Sequence, residues 1–122
     1  MHIHVYNDPG HGWGKVSQDQ LKRLGLTFGD FSSFSYRRNE FIYLEEDCDL
    51  SFFIKKHVEV LGKAPTFRDH TGNKPSRIRG YPSNLPGDAY RNRAAAEAQA
   101  REAANSEAAI AAGEAMVASD IA

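Results

Sequence analysis

Residues 49–62 read DLSFFIKKHVEVLG, and the apolar side chains in this stretch recur with the period of an α-helix. The stripe consists of Leu50, Phe53, Ile54, His57, Val58 and Leu61. Gly62 is a typical helix stop, and either Asp47 or Asp49 is placed to cap the start. Because a helix with one apolar face must bury that face, we predict that this helix lies across a β-sheet.

The strands of that sheet are predicted on both sides of the helix. Residues 2–6 alternate between polar and apolar, residues 7–10 are a turn signal, and residues 12–16 give a second short strand. Residues 32–37 and 40–44 alternate and are rich in Phe and Tyr, which predicts a hairpin with its turn at Arg38 and Asn39. After the helix, residues 66–67 and 77–81 are predicted as edge strands around a polar turn at residues 70–73.

A second, shorter helix of about two turns is predicted between the first two strands and the hairpin. Ser17 and Gln20 match a capping box, Leu21 and Leu24 form the apolar side, and Gly25 is the stop. The fold class is therefore α+β, with a small antiparallel sheet and one main amphipathic helix packed on it.

The composition changes abruptly near Pro86. From residue 94 to residue 122 the chain contains 14 alanines in 29 positions, with no aromatic residue and no proline. We predict a compact head at residues 1–84, a linker at 85–93 and an Ala-rich helical arm at 94–122. The arm is expected to self-associate or to dock on a partner, and a frayed tail is the alternative. A seam for such packing is formed by Ala100, Ala103, Ile110, Val117 and Ile121.

Length and charge limit the classes of function. With 122 residues and a net charge of −1, the chain has one small core and is not basic overall, so nucleic-acid binding requires a local basic patch. A single cysteine, Cys48, excludes an internal disulfide, and nearby carboxylates disfavour its thiolate. The sequence contains no window of about 18 uninterrupted apolar residues, so it predicts no membrane span. We expect a cytoplasmic protein.

The segment Asp8-Pro9-Gly10-His11-Gly12-Trp13-Gly14-Lys15 is the first candidate site. Alternate glycines let a backbone turn sharply and present N–H groups to an anion, while Trp13 can stack on a base and Lys15 can neutralise a phosphate. His11 lies within the same loop. The alternative is a hairpin turn whose Trp13 closes one end of the core.

A basic group follows the main helix and contains Arg68, Lys74, Arg77 and Arg79, with Arg91 and Arg93 farther along the chain. If Arg77 and Arg79 occupy one strand they share a face, which suits bidentate binding of phosphate oxygens. The alternative is an edge strand kept soluble by its charges. Glu45, Glu46 and Asp47 are an ordinary cluster of acids at a helix start. The functional alternatives are a small cation site, an acid/base pair, or an acidic patch that meets a basic partner.

His2 and His4 share one strand face, a spacing that chelates a metal only if a third ligand such as His11 or His70 joins them. No such third ligand is evident in the sequence. His57 lies in the apolar stripe and is expected to be a helix-face residue with one partner. We therefore predict no metal site and no cofactor.

Four motifs of the head resemble a group of small accessory proteins of tailed bacteriophages and prophages. They are DPGHGW at residues 8–13, SFSY at 33–36, YLEEDCD at 43–49, and SRIR at 76–79 with Tyr81. The resemblance covers roughly residues 3–81 and omits the arm. It implies a phage accessory protein in the bacterial cytoplasm and carries over no catalytic residue.

Three classes of function remain open. The first is a non-enzymatic phage protein, including one that counters host defence, which binds a nucleotide or a host protein through His11, Trp13, Lys15, Arg77 and Arg79. The second is a nucleic-acid-binding accessory protein that uses the same basic groups. The third is a small metal-dependent hydrolase built on His2, His4, His11 and the acidic run, for which the sequence offers no nucleophile and base pair.

Overall fold

A computed structural model of the chain describes the backbone of residues 1–121 and the side chains of residues 1–106. The strands and α-helices of this part are β1 (His2–Asn7), β2 (Gly12–Ser17), α1 (Gln18–Arg23), β3 (Tyr36–Arg38), β4 (Phe41–Glu45), α2 (Asp49–Leu61), β5 (Thr66–Thr71) and α3 (Asp88–Ile121). Two 3-10 helices are present at Phe28–Asp30 and Arg77–Gly80. The α+β fold class is confirmed.

The sheet has the strand order β3-β4-β2-β1-β5. The pairs β3/β4, β4/β2 and β2/β1 are antiparallel, as predicted, whereas β5 pairs parallel with β1. The parallel pair follows from the connection, because α2 carries the chain from the end of β4 back to the edge of the sheet where β4 began, so β5 runs in the same direction as β4 and β1. The sheet is therefore mixed rather than wholly antiparallel.

Helix α2 lies on one face of this sheet, as its apolar stripe predicts. Leu50 and Phe53 are buried in the main core together with Ile3, Val5, Val16, Leu21, Leu24, Leu26, Phe31, Ile42 and Leu44. Gly14 in β2 permits the close approach, because a Cβ atom there would lie 2.7 Å from a methyl carbon of Leu50. The buried His57 contacts both the backbone oxygen of Lys63 and, at 3.4 Å, the N-terminal amine. It thus has two partners rather than the one predicted.

The start of α2 differs from the prediction. Cys48 occupies the N-cap position without a side-chain cap, and Asp49 is the first helical residue. The Asp49 carboxylate is buried and accepts hydrogen bonds from the Ser32 backbone N–H and from the hydroxyls of Ser32 and Ser35. Its role is therefore to hold residues 32–35 against the helix.

Those bonds explain why residues 32–37 are not one strand. The chain around Ser32 turns toward Asp49, so β3 is shortened to Tyr36–Arg38. The hairpin turn moves to Asn39 and Glu40, and Asn39 has the left-handed φ of 56°. In contrast, the capping box of Ser17 and Gln20 at α1 is confirmed.

The region after α2 also differs. Strand β5 extends to Thr71, beyond the predicted end at residue 67, because it pairs with the full length of β1. Residues 77–81 are not a strand, because Arg77–Gly80 forms a 3-10 helix whose N-cap is the Ser76 hydroxyl.

Residues 81–87, which include the start of the predicted linker, cross the head and make specific contacts with it. The Asn84 side chain is 1% exposed, and its amide donates to the backbone oxygens of Phe28, Phe31 and Ser32. Gly87 N–H donates to the Gly29 oxygen at 2.8 Å. We call residues 81–87 the strap, because they connect β3 to the Phe28–Phe31 region.

The chain divides into two compact units, Met1–Tyr90 and Arg91–Ala122. Helix α3 begins at Asp88, inside the predicted linker, and the helical character predicted for the arm is confirmed as far as Ile121. The predicted seam includes Ile110, Val117 and Ile121, whose side chains lie outside the described residues. Of the helices in the described part of the chain, none combines the length and apolar character that crossing a membrane requires.

Candidate functional site

The face of the sheet opposite α2 carries aromatic and cationic side chains from all five strands. Because residues paired in register project to the same face, one set of side chains can be assigned to it. We call it the open face, and it includes His2, His4, Tyr6, Trp13, Lys15, Tyr36, Tyr43, Arg68 and His70. The 3-10 helix Arg77–Gly80 covers part of it, since Ile78 packs in one buried cluster with Trp13 and Tyr43.

A cavity of about 520 Å³ lies between the open face and the segment at residues 71–81. We call it the basic cavity. Its aromatic wall is formed by Tyr6, Tyr43, His70 and Tyr81, and its Lys and Arg side chains are Lys15, Arg38, Lys74 and Arg77. Asp8 supplies the single carboxylate among the described lining residues. The cavity therefore combines cations with planar rings.

Among the described residues, no carboxylate forms an ion pair with any of these four cations. The ion pairs of Lys56 with Glu59 and of Arg79 with Asp8 include none of them. Arg38 instead donates to the Tyr81 hydroxyl at 2.8 Å and lies over its ring at 5.0 Å. The four charges thus remain available to an anion.

Asp8 is the residue that fixes the wall of the basic cavity. Its carboxylate receives two bonds from Arg79, at 2.6 and 2.8 Å, and one from the Ser76 backbone N–H at 2.9 Å. The backbone N–H groups of Gly10 and His11 also donate to it. Arg79 and these N–H donors hold the pKa of Asp8 well below its usual range, so Asp8 is a carboxylate at neutral pH.

Tyr43 is the buried member of the aromatic wall. Burial raises the pKa of its hydroxyl, and the neighbouring Tyr81 raises it further. The two rings lie 5.2 Å apart. Tyr43 therefore stays neutral at physiological pH and contributes an aromatic surface rather than a charge.

A second cavity, of about 360 Å³, lies beside the loop between β1 and β2 and the start of α2. It is lined by His11, Trp13, Phe34, Tyr36, Glu45, Asp47, Cys48 and Arg79. Phe34 is 69% exposed. Glu45 already accepts hydrogen bonds from the backbone N–H groups of Asp47 and Cys48, so part of its hydrogen-bonding capacity stabilises the start of α2.

The residues predicted as one ligand site are divided between the two cavities. Lys15 and Arg77 line the basic cavity, whereas His11, Trp13 and Arg79 line the second. The predicted partner residues Glu45 and Asp47 also line the second cavity, and the exposed Glu46 donates its backbone N–H to the Gly12 oxygen beside it.

Two expectations about these residues need correction. Arg77 and Arg79 do not share a strand face, because they lie on a 3-10 helix on which residues two apart point in different directions. Trp13 is only 2% exposed, with the guanidinium of Arg79 over its ring at 5.2 Å. Trp13 therefore fills the core on the open-face side, as in the alternative interpretation of this loop, in which Trp13 closes one end of the core.

Two of the histidines, His4 and His70, lie within hydrogen-bond distance of each other. His4 Nδ1 lies 2.9 Å from His70 Nε2, and His2 Nδ1 lies 2.9 Å from the Thr66 hydroxyl. Among the described residues, no group of three or more His, Cys, Asp or Glu side chains is arranged to hold a metal ion. His11 lies instead beside Trp13, with ring centroids 6.1 Å apart.

Several residues of the basic cavity are not marked as candidate ligand contacts by the sequence. Tyr6 continues the alternation of His2 and His4, and this was the available signal that it shares their face. Arg38 was assigned to a turn and Tyr81 to an edge strand. Only the fold shows that these two residues meet over the sheet.

Comparisons with protein-family models, with curated proteins and with solved structures find no match to this chain.

Proposed function

We propose that the head binds a small phosphate-bearing ligand, a nucleotide in particular, in the basic cavity. The observation that carries this proposal is the set of four Lys and Arg side chains around an aromatic wall, with the one lining carboxylate already bound by Arg79. Cations that are not paired with a carboxylate attract phosphate oxygens, and neighbouring rings offer a surface on which a base can stack.

The size of the cavity supports a small ligand. Its volume of about 520 Å³ lies within the range of roughly 300–1,000 Å³ that is typical of small-molecule sites. Lys74 precedes the 3-10 helix and Arg77 is its first residue, while Lys15 comes from the sheet. Cations on opposite walls suit a ligand with several phosphate oxygens. The proposed role is binding, and it requires no catalytic step.

A single-stranded nucleic acid is the second candidate. It is favoured by the aromatic side chains of the open face, of which Tyr6, Tyr43 and His70 border the basic cavity. Proteins that bind single strands combine such rings with cations along a groove. Its affinity would fall steeply with salt, because each neutralised phosphate releases counterions.

The phage accessory role and a host or defence protein as partner stay predictions that rest on the motifs. The second cavity supports a protein partner only by its exposed Phe34 and its carboxylates at Glu45 and Asp47. The basic cavity carries the stronger argument, because its cations lack carboxylate partners within the described residues.

The proposal is tested by NMR titration of ¹⁵N-labelled full-length protein with ATP and, separately, with an eight-residue dT oligonucleotide. We expect ATP to shift the resonances of Lys15, Lys74 and Arg77 in a saturable manner. Arg77→Gln should weaken binding about 10-fold or more, because a charge-assisted hydrogen bond contributes roughly 1.5–3 kcal/mol. The exposed Arg23 on α1 is the matched control, and Arg23→Gln should leave the affinity unchanged.

Three outcomes contradict parts of this proposal. Absence of shifts with millimolar ATP and with the oligonucleotide refutes the site. Equal weakening by Arg23→Gln reduces the binding to general electrostatics. Tighter and strongly salt-dependent binding of the oligonucleotide favours the nucleic-acid alternative.

A further inference from the structure

The His4–His70 pair borders the basic cavity through His70, which lines it, while His4 is bonded to His70 from β1. His4 lies on β1 and His70 on β5, and their rings are 5.1 Å apart and nearly parallel. The Tyr6 ring stacks on His70 at 4.8 Å. A hydrogen bond between two ring nitrogens needs one donor and one acceptor, so at least one of the two rings is neutral while the bond exists.

The charged groups around the pair are cationic. His4 is paired in register with Lys15 on β2 and with Arg68 on β5, and His2 lies 5.4 Å away on β1. Asp69 is paired with Val5, so its carboxylate projects to the other face of the sheet. Asp8 also borders the cavity, but Arg79 binds it.

This environment disfavours a proton on His4 when no anion is bound. Burial lowers the pKa of His4, and the positive charges of His70, His2, Arg68 and Lys15 lower it further. A ligand phosphate in the cavity would reverse the sign of the local potential. Protonated imidazole is stabilised by such an anion and can donate a hydrogen bond to it.

Building on the proposed function, we propose that the basic cavity binds its phosphate ligand together with a proton, which the His4–His70 pair takes up from solution. Protonation of the donor ring adds an N–H at its outer nitrogen, which can bond the ligand, while the bond between the two histidines is kept. By linkage, the affinity for phosphate then rises as the pH falls, by at most about 10-fold per pH unit for each proton bound.

The test is isothermal titration calorimetry of the full-length protein with ATP at pH 6.0 and pH 8.0, at constant ionic strength. We expect the wild type to bind about 10-fold more tightly at pH 6.0, and His70→Gln to reduce that ratio to about 2. ATP itself titrates in this pH range, but its titration is the same with both proteins. The difference between their affinity ratios therefore measures the contribution of the His4–His70 pair. His11→Gln, an exposed histidine that lies outside the basic cavity, should keep the wild-type ratio.

A second measurement uses only the wild type, so it does not depend on whether His70→Gln folds. The ¹⁵N shifts of the imidazole rings in the wild type at pH 7 should move toward those of imidazolium when ATP is added. An equal pH dependence in wild type and His70→Gln, together with unchanged ring shifts, overturns the proton uptake while leaving the phosphate site in place. Absence of ATP binding at both pH values overturns the proposed function and this inference with it.

Discussion

Asn84→Ala should strongly destabilise the head, although the position lies at the edge of a segment with the composition of a linker. The side-chain amide is 1% exposed and donates to the carbonyl oxygens of Phe28, Phe31 and Ser32, while its oxygen accepts from Arg37 Nε. Two of those carbonyls, Phe31 and Ser32, are in buried contacts. Leaving a buried acceptor without a donor costs about 1–3 kcal/mol, so losing the donor to both carbonyls should lower the free energy of unfolding by roughly 2–6 kcal/mol.

The assay is urea unfolding followed by far-UV circular dichroism. With a slope of about 1.5 kcal/mol/M, a loss near 3 kcal/mol lowers the midpoint by about 2 M. Leu85→Ala is the matched control, because Leu85 is 72% exposed and is engaged through its backbone oxygen. A midpoint for Asn84→Ala within about 0.3 M of the wild type would refute the strap and restore the linker interpretation.

Three further predictions follow from the contacts of the head and from the arm. Asp8→Asn should lower Tm by several degrees at pH 7, because it weakens the bonds to Arg79 and Ser76. Because the folded-state pKa of Asp8 is depressed below the ordinary 3.8, its stabilisation is present above about pH 4 and is lost progressively as the pH falls below that value. The Tm difference between Asp8→Asn and the wild type should therefore shrink at lower pH. An undiminished Tm difference at pH 2.5 would contradict this. Trp13→Ala should cost about 3–5 kcal/mol in chemical unfolding, as for a large core side chain, and a folded variant of unchanged stability would return Trp13 to the list of ligand contacts. Truncation after Tyr90 should leave the head folded by circular dichroism and, if the arm assembles the protein, reduce the mass by light scattering to that of a monomer, whereas an oligomer of unchanged stoichiometry would exclude that role.

The two cavities assign different roles to residues that are close in sequence. Lys15 and Trp13 project from the same side of β2, yet Lys15 borders the basic cavity and Trp13 fills the core beneath the Arg77–Gly80 helix. A variant at Trp13 therefore reports mainly on folding, and a variant at Arg77 reports mainly on ligand binding. This separation is the reason that binding and stability must be measured together for any substitution on the open face.

Local periodicity determined much of the fold. The stripe that includes Leu50 and Phe53 determined helix α2, and the alternation at residues 2–6 determined β1, because the side chains of a helix and a strand sort to one face with fixed periods. The capping box at Ser17 and the Ala-rich composition of the arm were equally local signals. In each case the atoms that decide the structure lie within a few residues of one another.

Contacts between distant parts of the chain decided the rest. Asp49 draws Ser32 and Ser35 out of the predicted strand, and Asn84 converts a Pro- and Gly-rich segment into a strap. The basic cavity likewise depends on β5 pairing parallel with β1, which places His70 beside Tyr6, and on Asp8 holding Arg79 71 residues away. Hydrogen bonds and ion pairs of this kind have no period in the sequence, because their partners are chosen by the packing of the whole head. Residue types therefore indicated that cations and aromatic rings were present, and only the tertiary structure decided which of them share a site.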